Sequence, residues 1–384
     1  MERYIWEHQN WPNFTFNTTA VEKLFHRIQY LQGTLDATAT LIDDAARKRI
    51  QIEMLTDETL KSNEIEGVLL EAASVRSSVS RRLGIDTGVP KIPDKRSENA
   101  AALVMDAVQN HHIPLTSERL LGWHRLLFAD AAPRLQPPIV GGWRTGPVSI
   151  VSGRYEGRQI EKFEGVPAEQ VEREIARLLE SIQSKPRYHY LIESAISHLW
   201  FVCIHPFGDG NGRIARALSD YLLAAGEERK DHLYSISGQI NRERNQYYEA
   251  LALVSASSSV DITSWVVWYL EMFQRSLEYS VGEIRKVLNL SRLVRSLDPN
   301  RYNARQISML CKLVEGSFFG KLTTAKWAKM TKSTSYTAGR DINELVEIGL
   351  LIKSEAGGRS TSYELTTDLW NLLDGEDIPR ETNG

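Results

Sequence analysis

The sequence predicts a mainly α-helical chain built from three domains. Apolar residues recur every three or four positions over most of its 384 residues, which is the spacing of one face of an α-helix. A glycine-rich stretch, residues 133–167, breaks that spacing with short apolar segments typical of a β-hairpin. The tail, residues 303–365, has the element order of a winged helix-turn-helix. We therefore predict an N-terminal helical domain (1–85), a helical core with a hairpin (95–290) and a winged helix-turn-helix (300–370).

Composition indicates an ordinary soluble protein. Hydrophobic residues make up 42% and charged residues 25% of the chain, and the net charge is -3. No run approaches the roughly 18 apolar residues of a membrane helix, and the N-terminus lacks the apolar region of a secretory signal. Cys203 and Cys311 lie in apolar runs and are interpreted as buried thiols in a reducing compartment. We expect a cytoplasmic protein without a membrane partner.

The first domain is expected to be helical over residues 20–70. Thr18 and Thr19 are candidates for the N-cap of its first helix. Residues 84–93 have the Gly and Pro content of a loop and separate this region from the core. Helical spacing then returns at residues 98–109 and 117–129.

The hairpin and the helices after it complete the expected core. Glycines alternate with apolar residues over 141–160, so short strands around turns are expected there. Helices come next at 168–182 and 190–204, with more to about residue 296. In the tail, helices are expected at 305–315, 323–330 and 336–348. Two strands, at 350–353 and 362–365, would form a wing around Gly357 and Gly358.

Residues 205–216, HPFGDGNGRIAR, stand between two predicted helices and have the character of an anion site. Gly208, Gly210 and Gly212 allow the backbone to turn its N–H groups inward around an anion. The second of the two helices presents its positive N-terminus to the same place. The backbone alone therefore favours a bound phosphate.

The side chains of this run suit phosphate-ester chemistry. Arg213 and Arg216 add forked donors for phosphate oxygens, and Asp209 is a hard oxygen ligand for Mg2+. His205 can exchange a proton near neutral pH. A base, a metal ligand and two arginines thus surround the glycines.

Other interpretations of the run remain open. Its glycines fit a loose dinucleotide-binding pattern, but that pattern needs a preceding strand, and residues 192–203 keep helical spacing. A purely structural turn would explain the glycines without the arginines. A Cys203–His205 nucleophilic pair would require side chains two apart on a helix to meet. The sequence contains no P-loop.

The run resembles the motif HPFxDGNGRxxR of the Fic family and fits it at every specified position. The resemblance implies that His205 is the general base that deprotonates a target hydroxyl. It implies ATP as substrate, with Gly210, Asn211 and Gly212 at the α- and β-phosphates. Asp209 would hold Mg2+ and Arg216 the γ-phosphate. The hydroxyl would attack the α-phosphorus in line, and pyrophosphate would leave.

Two further elements resemble parts of Fic proteins. The hairpin would be the flap that holds the target backbone beside the histidine, through Val148, Ser149, Ile150 and Val151, with Arg144 leading into it. An ordinary surface hairpin is the alternative. Tyr247 and Tyr248 would lie beside the adenine. Alternatively, one of them belongs to the core and the other to the surface.

Residues 62–67, SNEIEG, match the family's inhibitory signature [ST]xxxE[GN] at Ser62, Glu66 and Gly67. A carboxylate delivered to Arg216 would form a bidentate pair and take the place of the γ-phosphate. The alternative is a solvated Glu66 on a helix face. The aromatic residues of the first 14 positions also resemble the N-terminal domain common before bacterial Fic cores.

The resemblance as a whole implies a protein adenylyltransferase that modifies a Ser, Thr or Tyr hydroxyl, with self-modification and a homodimer as further expectations. Gly212 favours AMP transfer, because a small residue leaves room for the β-phosphate. Removal of AMP, or transfer of another phosphate-linked group, is the alternative within the family. The alternative outside it is a DNA-binding regulator. Residues 301–368 hold ten Lys and Arg against seven Asp and Glu, a weak balance for DNA, so protein contact by the winged helix is favoured.

Overall fold

The computed structural model describes residues 3–85, 92–129, 139–155, 158–227, 231–298, 300–315, 320–354 and 361–374. Within them the chain is mainly helical, as predicted. The helices, numbered α1 to α15 in order, are Thr18–Thr40, Asp44–Ile65, Ala72–Arg82, Lys95–Gln109, Ser117–Phe128, Val171–Gln183, Tyr190–Ile204, Asn211–Glu227, Ile236–Arg242, Arg244–Ser255, Thr263–Ser296, Ala304–Val314, Thr324–Thr331, Ser335–Glu347 and Thr367–Asp374. The strands, β1 to β4, are Ser149–Tyr155, Arg158–Glu164, Leu351–Lys353 and Tyr363–Leu365.

The chain divides into two compact units. The first contains Met1–Asp36 and Asp44–Ser280, and the second contains Ala37–Asp43 and Val281–Gly384. The predicted N-terminal domain and helical core therefore fall into the same unit, apart from residues 37–43 and 281–290. No described helix is both long enough and apolar enough to cross a membrane.

Helix α7 is the centre of the first unit. Every residue from Leu191 to Ile204 except Glu193 is buried, so the helix is covered on all sides. A helix that is apolar all round belongs in a core. Its main neighbour is α8, and the loop between them is the run at 205–216. Because α7 precedes that run, the strand needed for dinucleotide binding is absent there.

The start of α1 corrects the predicted cap. Asn17 Oδ1 accepts hydrogen bonds from the backbone N–H of Thr19, at 3.0 Å, and of Ala20, at 3.3 Å. Asn17 is thus the N-cap, and Thr18 and Thr19 already belong to the helix. The prediction of a threonine cap was wrong because asparagine, one residue earlier, satisfies the same donors.

The end of α2 determines the direction of Glu66. Gly67 has a φ of 74°, a conformation that glycine adopts without steric cost. The N–H of Val68 bonds to the carbonyl of Asn63 at 3.0 Å, which closes the helix with a left-handed residue at its end. The helix ends at Ile65, so Glu66 lies in the terminating turn and not on a helical face.

Strands β1 and β2 form the predicted hairpin. They are antiparallel, with Ser149 opposite Glu164 and Tyr155 opposite Arg158. The register is irregular between Ile150 and Arg154. The second strand continues to Glu164, beyond the predicted limit at residue 160. The structure describes the backbone of both strands, but no side chain from 149 to 162.

The second unit has its own apolar core. Helices α12 to α14 and strands β3 and β4 surround the fully buried Trp327, and Arg305 pairs with the buried Asp341 at 2.7 Å. The predicted order of three helices and two paired strands is observed, while the winged-helix interpretation stays a prediction. Cys311 is only half-buried, unlike Cys203, because α12 leaves that position at the edge of the core. Gly357 and Gly358 lie outside the described residues.

Candidate active site

His205 ends α7 in a left-handed conformation. Its φ is 51° and its ψ is 57°, and its N–H still bonds to the carbonyl of Phe201 at 3.0 Å. A residue with a β-carbon adopts this conformation at an energetic cost, which is typical of functional positions. Pro206 comes directly after it and cannot continue the helix. The histidine is therefore held at the point where the chain turns away from α7.

The His205 ring is held in one tautomer and kept neutral. Nδ1 lies 3.2 Å from the carbonyl oxygen of Val202. Since a carbonyl can only accept, Nδ1 carries the proton and Nε2 has a free lone pair. Burial lowers the pKa of His205 to about 4. The expectation of proton exchange near neutral pH was wrong for this state, because desolvation disfavours the charged ring.

Asn211 braces the loop after His205. Its Oδ1 accepts from the N–H of Phe207 at 3.0 Å, and its Nδ2 donates to the Phe207 carbonyl at 2.7 Å. Gly210, with a φ of 87°, then turns the chain into α8. The side chain of Asn211 is thus engaged within the loop. Its predicted phosphate contact would use the backbone N–H in the first helical turn, where helices lack internal acceptors.

His124, on α5, supports the same loop and was not identified from the sequence. Its Nδ1 accepts from the N–H of Gly141 at 3.0 Å, so Nε2 donates to the carbonyl of Asp209, 3.2 Å away. The ring stacks on Phe207 with centroids 4.1 Å apart. A histidine 81 residues before the motif gives no local sequence signal of this contact.

Asp209 and Arg213 interact with each other. Asp209 Oδ1 accepts from the N–H of Gly210 at 2.6 Å and from Arg213 Nη2 at 3.3 Å. The Arg213 guanidinium also lies over the Phe128 ring, 5.2 Å from its centroid. These contacts direct Arg213 toward α5. Its predicted phosphate contact stays a prediction.

The residues around Asp209 fit a nucleotide-borne Mg2+ better than a metal bound by protein alone. Among the described residues, no group of three or more His, Cys, Asp or Glu side chains could hold a metal ion. The Asp209 side chain is 36% exposed. Mg2+ commonly binds through one or two carboxylates with phosphates and water. Asp209 can supply the protein's share of such a site.

Arg216 is fully buried and connects α8 to the end of α2. Nε donates to Ser62 Oγ at 3.0 Å, and Nη2 donates to the Ser62 carbonyl at 2.7 Å and to Glu66 Oε1 at 2.9 Å. The expected bidentate pair with Glu66 was wrong, because Ser62 occupies the other donors on that edge. Burial opposes the charge, but the Glu66 carboxylate raises the pKa of Arg216 overall.

Gly212 gives the Glu66 carboxylate its space. A β-carbon at Gly212 would lie 2.1 Å from Glu66 Oε1 and 3.2 Å from Arg216 Nη1. The carboxylate thus lies against the first turn of α8, where the helix dipole favours negative charge. Glu66 is partly exposed, with 28% of its side-chain area accessible, but it pairs with Arg216 and is not a free carboxylate on a helix face. It occupies the N-terminal end of the helix to which phosphate binding was predicted.

The two tyrosines of α10 differ in environment. Tyr247 is buried, its hydroxyl lies 3.0 Å from His198 Nε2, and burial raises its pKa. Tyr248 is half-buried, and its hydroxyl donates to the carbonyl of Ile65 at 3.3 Å. They are one core and one peripheral residue, both near the end of α2. A contact with the nucleoside stays a prediction.

The hairpin begins and ends beside His205. The N–H of Gly165 bonds to the carbonyl of Val148 at 3.1 Å. A β-carbon at Gly165 would lie 2.9 Å from the His205 β-carbon, so the hairpin's last residues approach the histidine closely. Ser149, Ile150 and Val151 lie on β1. This position suits the predicted flap, although the described structure includes none of their side chains.

Arg144 connects the hairpin to the histidine and was named in the sequence only for its place before the hairpin. Its Nε donates to the His205 carbonyl at 2.7 Å and Nη1 to the Gly146 carbonyl at 2.8 Å. Nη2 donates to the carbonyls of Val166 and, at 3.2 Å, Ile204. Every partner is a backbone atom, so no residue type in the sequence indicates these contacts.

Comparison with known proteins finds similarity to Fic proteins. Residues 114–223 match the Fic/DOC family, and residues 4–85 match a domain of unknown function (DUF4172). The chain is 27% identical over 271 residues to "Protein adenylyltransferase Fic" of Culex quinquefasciatus, covering 67% of this chain and 47% of that protein. The protein of the same name from Drosophila melanogaster is 27% identical over 258 residues, covering 66% and 47%.

The chain spans about half the length of these curated relatives. Among solved structures, a Fic family protein from Desulfovibrio desulfuricans G20 is similar, with a TM-score of 0.52 and 21% identity. The similarity covers 93% of this chain and 98% of that one. The two chains thus share a fold over nearly their whole lengths.

Proposed function

Because residues 114–223 form a Fic/DOC-family domain, we propose that the chain transfers AMP from ATP to a Ser, Thr or Tyr hydroxyl of a protein. The observation that carries this proposal is His205, whose ring burial keeps neutral with Nε2 free to accept a proton, in the loop that leads into the N-terminus of α8 at Asn211. A proton acceptor next to an anion-binding helix end is what attack on a phosphorus requires. The relatives named as protein adenylyltransferases support the choice of reaction.

The proposed reaction has a simple balance. The target hydroxyl oxygen forms a bond to the α-phosphorus, and the bond from that phosphorus to the bridging oxygen of the β-phosphate breaks. The hydroxyl proton goes to His205 Nε2, and pyrophosphate leaves. Charge in the transition state would be stabilised by the first-turn N–H groups of α8 and by Arg216. Mg2+, held by Asp209 and the phosphates, would neutralise the leaving pyrophosphate.

We place the hydroxyl with the hairpin. A target segment paired to β1 would pass beside His205, because the hairpin's root lies there. Tyr248, half-buried at the end of α2, marks the side on which the nucleoside would lie.

The present arrangement would be an inhibited one. Glu66 pairs with Arg216 and lies over the first turn of α8, so a γ-phosphate would have to compete with a carboxylate for the same guanidinium. Arg216 Nη1 has no hydrogen-bond partner in the described part of the chain and remains a donor for phosphate oxygen. ATP could bind with its α-phosphate out of line for attack, and transfer would be slow.

The direct test is incubation of the purified chain with ATP labelled at the α-phosphate and a cell lysate. A labelled protein band that disappears with His205→Asn is expected. Label from the γ-position that stays on protein would instead indicate a kinase, and no label from either position with the Glu66→Gly chain would contradict the proposal.

For residues 300–370, which belong to the second unit, we propose a winged helix that contacts protein, including a second copy of the chain. Tyr336 on α14 is 84% exposed, which suits a protein interface. The lysines and arginines of this unit only slightly outnumber its acids, which speaks against a strong DNA contact. Arg359, which would contact DNA from the wing, lies outside the described residues.

A further inference from the structure

Arg144 is a buried cation whose contacts are all to the backbone. It is 7% exposed, and its guanidinium donates to the carbonyls of His205, Gly146, Val166 and Ile204. Among the side chains that the structure describes, none forms an ion pair with it. A buried charge without a counter-ion is costly unless its donors are satisfied. Here, one planar group with five N–H donors satisfies that need and joins four separate peptide units.

The peptide units joined by Arg144 belong to three parts of the site. Gly146 lies before β1, Val166 lies after β2, and Ile204 with His205 ends α7. The backbone N–H of Arg144 also donates to the carbonyl of Pro206 at 3.0 Å. The two ends of the hairpin and the end of α7 are thus held together through a single side chain.

His205 needs such support because its backbone is strained. A φ of 51° is unfavourable for histidine, and the first carbonyl that Arg144 binds is that of His205 itself, at 2.7 Å. If that hydrogen bond were lost, the chain could relax and carry the imidazole away from its place. The two ends of the hairpin, at Gly146 and Val166, would no longer be held at a fixed distance from the His205 ring.

We propose that Arg144 is a positioning residue, which holds the hairpin and His205 in one fixed arrangement so that a hydroxyl presented by the hairpin meets Nε2. This inference rests on the proposed function, because the hydroxyl enters only through it. Arg144 touches neither the nucleotide site on α8 nor the reacting atoms. Its effect falls on the approach of the target and not on the binding of ATP.

The test compares Arg144→Lys with Arg119→Lys, both in the Glu66→Gly background. Arg119 is the control, because it also donates to backbone carbonyls, those of Ile113, Asp106 and Asn110, none of which belongs to the hairpin or to residues 205–216. Unlike Arg144, it also pairs with the Asp106 carboxylate. We expect kcat/KM for a protein target to fall at least about tenfold in Arg144→Lys, since small misplacements are costly in catalysis. Equilibrium binding of ATP should stay within about twofold of the parent, and Arg119→Lys should keep its kcat/KM.

A second measurement does not depend on transfer. The pKa of His205 is lowered mainly by burial and further by the charge of Arg144, while Glu66 and Asp209 raise it. The His205 ring should therefore titrate at higher pH in Arg144→Met than in Arg144→Lys, as followed by NMR in the otherwise native chain. An unchanged kcat/KM in Arg144→Lys, or equal loss of kcat/KM in Arg144→Lys and Arg119→Lys, would overturn the inference. An inactive Glu66→Gly parent would instead count against the proposed function.

Discussion

His205 has two properties that come from its position and not from its residue type. The left-handed backbone turns the ring out of α7, and burial keeps that ring neutral. A neutral imidazole with its Nδ1 proton engaged by Val202 can accept a proton only at Nε2. The backbone and the burial of the ring thus determine its protonation state and leave Nε2 as the atom that can accept a proton.

Replacement of His205 should abolish transfer without disturbing the loop. We expect His205→Asn to lower the rate about 10^2 to 10^4-fold, because general-base catalysis is lost. Asparagine tolerates the left-handed conformation better than alanine does, so this variant separates chemistry from folding. The measurement is AMP transfer together with equilibrium ATP binding. A parental rate in His205→Asn would exclude the histidine as base, and a loss only in His205→Ala would point to the backbone.

The pH dependence of transfer should reflect the low pKa of His205. Since burial lowers that pKa to about 4, the base form is present above this value and disappears as the pH falls through it. We expect kcat/KM to show no inflection near 6.5, the ordinary pKa of histidine, and to fall only toward pH 4. A pH profile of the Glu66→Gly chain measures this. A clear loss between pH 7 and 6 would mean that the ring is reached by solvent during turnover.

Asp209→Ala should weaken the use of Mg2+. The carboxylate is the protein's contribution to a metal held mainly by phosphate, so its loss should shift the Mg2+ optimum upward and lower activity about tenfold or more. A Mg2+ titration of Asp209→Ala beside Asp209→Asn, which keeps an oxygen ligand, makes the comparison. An unchanged Mg2+ optimum in both would assign the metal to another residue.

The residues of the site differ in how far the sequence could predict them. The motif identified His205, Asp209 and Arg216 because their types and spacing are themselves the signal. The contacts of Arg144 and His124 were not predicted, since each side chain donates to carbonyl groups, which every residue possesses. The phosphate contact of Asn211 stays a prediction, and its side chain bonds to the backbone of Phe207, a contact that depends on loop geometry and not on composition.

At the scale of elements, the end of α2 and the first turns of α8 are in contact through Glu66 and Arg216. Helix α2 ends at Ile65 because Gly67 takes a positive φ, and that ending sends Glu66 to Arg216 on α8. Helix α8 accommodates the carboxylate because Gly212 has no side chain. The signature in the sequence predicted the partners. It could not show that Ser62 holds two of the arginine's donors, since that depends on the angle at which the helices meet.

Glu66→Gly should activate the enzyme. Without the carboxylate, Arg216 can take the γ-phosphate and align the α-phosphorus, so transfer should rise about tenfold or more, and self-modification should increase. Glu64→Gly is the matched control. It places a glycine in the last turn of α2 and removes the contacts of Glu64 with Lys61 and Asn241, but it leaves the Glu66–Arg216 pair in place.

The double variant Glu66→Gly, Arg216→Ala completes this experiment. It should remain inactive, because the γ-phosphate then has no anchor. Rates are measured with α-labelled ATP for the parent, both single glycine variants and the double variant. Equal rates in the parent and in Glu66→Gly, or equal activation by Glu64→Gly, would remove the inhibitory role from Glu66.

At the scale of the molecule, the helical prediction succeeded because helical periodicity is a local property. The division into domains, in contrast, depends on contacts between residues that are far apart in the sequence. The predicted first domain and core share one compact unit, a result of long-range packing such as that of α2 against α9. Sequence spacing carries no record of which distant helix a face meets. The element order of the second unit was predicted closely, since its helices α12 and α14 are strongly amphipathic.

DNA binding by the whole chain should be weak and nonspecific. In a gel-shift titration we expect no discrete complex at about 150 mM salt, and any shift at low salt should vanish as salt rises, since phosphate contacts release counter-ions. Sedimentation of the same samples measures self-association. A discrete complex that survives 150 mM salt would favour the regulator interpretation of residues 300–370.

The space beside Gly212, which the Glu66 carboxylate fills and a phosphate would fill, limits which substitutions can activate the protein. The same void that would receive phosphate also receives the Glu66 carboxylate, so any larger residue at 212 should damage catalysis and its restraint together. Changes at Ser62 or Glu66 remove only the restraint. A population of random variants screened for excess activity should therefore yield lesions at the end of α2 and none at 212. Substitutions that release the enzyme from inhibition would therefore be found on the α2 side of the contact between Glu66 and Gly212, and not at Gly212.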